Sequence, residues 1–173
     1  MPESESLPQS EEFQEVFEKE PETDIEPYLL NSDIRVFVID DNPELVKSMT
    51  QAFAYYQGKS IGAVGPENPL DSKKILSRIA HERPEYFPQM ILIDELFDSE
   101  TYDEVGAKLL SDILADENVA RIEKPLIFAY SSEQEWFENL KKAGADIGAV
   151  MPKGSPNSRH RARISNYKGI IRR

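Results

Sequence analysis

The chain contains no cysteine, which excludes disulfide bridges and thiolate metal ligands and makes a reducing, cytoplasmic setting the expectation. It also lacks any apolar run approaching the roughly 20 residues that a membrane-spanning helix needs. Its acidic start is unlike a secretory leader, so a soluble protein without membrane association is expected. Histidine is scarce: His81 and His160 stand isolated and read as surface residues. The single tryptophan, Trp136, shares a helical stripe with Phe137 and Leu140 and reads as core rather than as a cofactor platform.

Negative charge is abundant and unevenly spread. The net charge is −12 over 173 residues. Residues 1–33 hold eleven acids against Lys19 alone, whereas 154–173 hold six Lys and Arg and no acid. An acidic head and a basic end argue against nucleic-acid binding by the whole chain. Residues 1–33, acidic and poor in apolar side chains, read as a largely flexible extension, with the folded domain and its basic last helix spanning 34–173. Phe13, Val16 and Phe17 mark one short amphipathic turn in the head that needs a surface to dock on.

From Ile34 onward strand and helix patterns alternate. The near-continuous apolar run "IRVFVID" (34–40) suits a strand of a parallel sheet covered on both faces. A helix is predicted over 42–58, with Pro43 in its first turn and Gly58 closing it. A weaker strand follows at 59–65, then a helix over 71–84 stopped by Pro84. "QMILIDE" (89–95) is the third strand and 103–118 a helix that turns Val105, Leu109, Leu110, Ile113 and Leu114 inward. "PLIFAYSS" (125–132) is the fourth strand, 133–145 a helix, 147–154 the fifth strand and 157–172 the last helix. Five strands alternating with five helices predict an α/β, doubly wound parallel sheet.

In such sheets ligands bind outside the carboxyl ends of the strands. The first strand ends in Asp40 and Asp41, the third in Asp94, the fourth in Ser131 and the fifth in Lys153. Clustered carboxylates suit a hard cation such as Mg²⁺, which takes a few protein oxygens and keeps several waters. A lysine and a hydroxyl beside them are what a phosphoryl group needs. Each element has a plainer reading taken alone: Asp41 or Asn42 as a helix cap, Asp94-Glu95 as a solvated strand end, Ser132 as the cap of the next helix. It is the ordered set of five that favours a site.

The motifs "VFVIDDN", "MILIDE", "LIFAYSS" and "LKKAGADIGAVMPK", in this order and spacing, resemble the receiver domain of bacterial two-component response regulators. The resemblance covers about 34–172 and leaves nothing over for an output domain. It implies the flavodoxin-like receiver fold and a stand-alone regulator of the chemotaxis type, a phosphorelay signalling phosphoprotein rather than an enzyme. Asp94 would be the phosphoacceptor; Asp40, Asp41, Asp94 and the Leu96 backbone carbonyl would hold Mg²⁺. Ser131 would be the hydroxyl that moves toward the phosphoryl group, and Lys153 its ion-pair partner. The implied partners are a histidine kinase or phosphotransfer protein and a downstream protein, with homodimerisation open.

The sequence departs from the family where Pro152 precedes Lys153 and Gly154 follows it, and where Val150 takes the place of an aromatic residue. These departures keep a second reading open, a pseudo-receiver acting as a phosphorylation-independent binding or dimerisation module. A Mg²⁺-dependent phosphohydrolase using Asp94 or Asp40 as nucleophile is disfavoured, because "DDNPE" lacks an acid two residues after the first.

Overall fold

The computed structural model describes residues 22–44, 46–47, 55–56, 58–95, 106–131 and 134–150. Six strands form one sheet: β1 (Ile34–Ile39), β2 (Tyr55–Tyr56), β3 (Lys59–Val64), β4 (Met90–Asp94), β5 (Leu126–Ser131) and β6 (Ile147–Val150). Their order is β2-β3-β1-β4-β5-β6. All pairings are parallel except that of β2 with β3. Among the described residues the α-helices are α1 (Ser72–Glu82), α2 (Gly106–Leu114) and α3 (Gln134–Ala143), and a helical stretch begins at Pro43. The parallel part is thus the doubly wound α/β sheet of the sequence reading. The predicted last helix, 157–172, and the amphipathic turn around Phe13 lie outside the described residues.

Alternation along the strands builds a core on each face of the sheet. On one face Phe37, Ile39, Ile91, Ile93, Ile127 and Ala129 pack against Ile75, Leu76 and Ile79 of α1, Leu110 and Ile113 of α2, and Leu140 of α3. On the other, Val36, Val38, Met90, Leu92, Phe128 and Tyr130 gather with Val46 from the stretch that starts at Pro43. Strands buried on both sides explain why the runs over 34–40 and 89–95 are almost uninterrupted apolar sequence.

The end of the first predicted helix is a correction. Tyr55 and Tyr56 pair antiparallel with Ser60 and Lys59, so the chain has left the helix before Gly58. Gly58 adopts φ +78°, a left-handed conformation glycine takes without steric cost. It closes a tight hairpin, not a helix, and the two tyrosines have a strand preference that the helical reading overrode.

The acidic segment joins the core before residue 34. Ile25 is 5% exposed, and Tyr28 and Leu29 pack against the helix-side core, the Tyr28 ring lying 6.1 Å from that of Phe37. Arg78 of α1 fastens this segment by donating to the Thr23 carbonyl and lying 3.3 Å from Glu22.

Candidate metal and acceptor site

The strand order reverses between β1 and β4, since β1 has β3 on one side and β4 on the other. The carboxyl ends of these two strands therefore flank the switch point. They deliver Asp40, Asp41 and Asp94. One carboxylate oxygen from each lies within 4.8 Å of the others.

Local chemistry sets each of them. The chain turns out of β1 because the Asp40 carboxylate accepts from the Asn42 amide at 2.7 Å. Asn42 then caps the helical stretch, its side chain accepting from the Glu44 amide at 3.1 Å and its carbonyl from Val46 at 3.1 Å. Pro43 follows at the position where a missing amide proton costs nothing. Capping thus falls to Asn42 rather than Asp41, and Asp41 is half-buried beside its buried neighbour Asp40. On β4, Asp94 Oδ1 accepts from the amide of Glu95 at 2.7 Å, which orients the Asp94 carboxylate.

Glu95 is not a solvated strand end. It is 1% exposed, and its carboxylate accepts from the Ala107 amide at the start of α2, 2.9 Å away. Its carbonyl takes the Gly106 amide, also at 2.9 Å. Burial pushes the Glu95 carboxyl up to about 7, against the opposing hydrogen bonds from Ala107 and Asn139. Gly106 must be glycine: a Cβ there would collide with the Asp94 carbonyl oxygen. A strand-end acid carries no sign of this contact in the sequence, because the donor to its carboxylate arrives twelve residues later.

Tyr130 is the second residue whose role at the site the sequence does not disclose. It is buried, and its hydroxyl donates to Asp40 Oδ2. The register pairs Asp94 with Tyr130 and Ser131 with Val150. The register thus sets Tyr130 level with Asp94 on the neighbouring strand. The signal was its parity: Tyr130 shares a face with Phe128, as Asp40 does with Val36 and Val38. Ser131 ends β5, and Leu96 and Lys153 lie outside the described residues.

An all-oxygen donor set of three close carboxylates fits a hard divalent cation, Mg²⁺ above the softer metals. No helix among the described residues is long and apolar enough to cross a membrane.

No protein-family model matches the chain, and no curated protein matches it. Solved structures do. A CheY-like response regulator receiver domain from Methanospirillum hungatei is 16% identical, with a TM-score of 0.51 over 79% of this chain and 94% of that one. The phosphorylated cyanobacterial phytochrome response regulator RcpA is 17% identical, TM-score 0.53, over 79% and 90%. The Mn²⁺-bound response regulator Rcp1 is 8% identical, TM-score 0.55, over 78% and 91%. With its strand order and with α1, α2 and α3 packed on one face of the sheet and Val46 on the other, the chain has the fold of the response-regulator receiver domain.

Proposed function

We propose that this protein is a response regulator that accepts a phosphoryl group on Asp94, with Mg²⁺ held by Asp40, Asp41 and Asp94. The observation that supports the reading is the convergence of these three carboxylates at the switch point of a receiver fold. The Mn²⁺-bound and phosphorylated neighbours of the same fold lend it chemical plausibility. The donor is a histidine kinase or phosphotransfer protein. An Asp94 carboxylate oxygen bonds to phosphorus as the donor's P–N bond breaks, and the freed imidazole takes up a proton. A bound divalent cation supplies positive charge against the incoming phosphoryl oxygens. Asp40 and Asp41 hold that cation, and the Glu95 amide keeps Asp94 oriented. Within this reading Ser131 and Lys153 serve as further phosphoryl contacts and the Leu96 carbonyl as a further metal ligand.

Acetyl phosphate and MgCl₂ followed by intact-mass measurement test it. One phosphoryl group is expected on the wild type and none on Asp94→Asn. No gain in the wild type would leave the receiver as a phosphorylation-independent binding module.

A further inference from the structure

Asp40 is 2% exposed, so its charge depends on a few chosen partners. Oδ1 accepts from the Asn42 amide at 2.7 Å, a bond that belongs to the turn out of β1. Oδ2 accepts from the phenol of Tyr130. That second donor comes from β5, which is separated from β1 by the strand carrying Asp94. The phenol is itself buried, 4% exposed, within an apolar face formed by Val38, Leu92 and Phe128. A buried carboxylate without its donor is costly, so in the ion-free protein this bond contributes directly to holding Asp40.

The carboxylate that Tyr130 holds is also one of the three proposed to hold the cation. A hydrogen bond to a carboxylate oxygen withdraws the electron density that a cation requires. Phenol and cation thus draw on one charge, whichever lone pairs they use.

We propose that Tyr130 is a positioning residue that stands in for the cation at Asp40, so that metal binding at the β1–β4 rim and the Tyr130–Asp40 bond oppose each other. This rests on the metal-site reading above and adds to it a route by which the ion acts on a third strand. Coupling between two binding events is reciprocal: if the hydroxyl weakens the ion, the ion weakens the hydroxyl's hold by the same factor. Loading the site therefore loosens the tether from β1 to the end of β5, where the chain leaves the sheet at Ser131 toward α3.

The test is calorimetric titration of the full chain with MgCl₂, wild type against Tyr130→Phe, together with thermal melts. Tyr130→Phe should bind Mg²⁺ about tenfold more tightly, or ~1.4 kcal/mol. It should melt below the wild type without the ion and draw level with it at saturation. Addition of Mg²⁺ to the wild type should also produce a tyrosine ultraviolet difference spectrum that the variant lacks. A purely structural hydrogen bond would lower both melting curves equally and leave the affinity alone; unchanged or weaker Mg²⁺ binding in Tyr130→Phe overturns the proposal. A wild type that binds no Mg²⁺ defeats the metal reading itself, which is visible before any substitution is made. Where Tyr130→Phe does not fold, a wild-type tyrosine spectrum unmoved by saturating Mg²⁺ overturns the proposal.

Discussion

The two rims of the sheet are built on opposite principles. At the amino ends of the strands, polar groups meet complements. The Asp33 carboxylate accepts from the Ser60 amide and hydroxyl, each at 2.8 Å. The Gln89 side chain accepts from the Arg35 amide at 2.6 Å and donates to the Asp33 carbonyl at 3.1 Å. The Arg35 guanidinium reaches the carbonyls of Phe87 and Ser32. At the carboxyl ends, three carboxylates are gathered within 4.8 Å, and Glu95, next to Asp94 in the chain, is buried. One rim locks strand register; the other concentrates like charge, an arrangement a fold keeps where a cation compensates it. Stability and chemistry are separated along the strand axis.

The contrast can be broken most strongly at Gly106. Gly106→Val forces a side chain into the Asp94 carbonyl and should lower stability by about 3 kcal/mol, read by denaturant unfolding, with the Mg²⁺ response lost as the rim deforms. Next comes Glu95→Gln. The folded Glu95 carboxyl sits at about 7 against an ordinary 4.5, so the folded state holds this proton more tightly than the unfolded one. Its contribution is full below about 4.5, declines as pH rises through 7 and is flat above that. The Gln variant should lack this decline, gaining at most about 3 kcal/mol on the wild type across the window; urea midpoints against pH, measured in EDTA, check it.

Asp41→Ala should remove the rise in Tm that saturating Mg²⁺ gives the wild type, a difference of about 1–3 kcal/mol for an ion well above its Kd. Without the ion it should melt at or above the wild type, because one like charge has gone. Asp33→Asn sharpens the comparison with the smallest effect. It should melt below the wild type by the same margin with and without Mg²⁺. The Ser60 amide and hydroxyl hold the Asp33 carboxyl below its usual range. Its contribution is therefore present above the ordinary carboxylate pKa and fades as pH falls through the lowered one, where the two melting curves should converge.

Much of this was legible in the sequence, for a definite reason. Strands covered on both faces must be apolar throughout, so the points where 34–40 and 89–95 turn acidic mark the sheet's edge, and Asp40, Asp41 and Asp94 could be placed on one rim without coordinates. Tyr55 and Tyr56 were misread because a glycine after an amphipathic stretch looks the same whether it ends a helix or turns a hairpin. The burial of Glu95 depends on amides at 106–107, and the Tyr130–Asp40 bond on a partner 90 residues away. Local pattern carries no trace of such distant partners. That Tyr130 lies level with Asp94 depends on the register of β5 against β4, which no single run of sequence displays.

The paired grip of Glu95 on Gly106 and Ala107 has a consequence for how such a protein can change over generations. Glu95 holds the amides of Gly106 and Ala107, so a connection of any length between residues 95 and 106 would close on the same knot. Lengthening a closed circuit is cheap: each doubling adds only about 0.6 kcal/mol of closure entropy. The connection between residues 95 and 106 can therefore be extended, shortened or rewritten while Asp94 and the start of α2 stay where they are, which leaves selection a place to change the sequence without moving the three carboxylates.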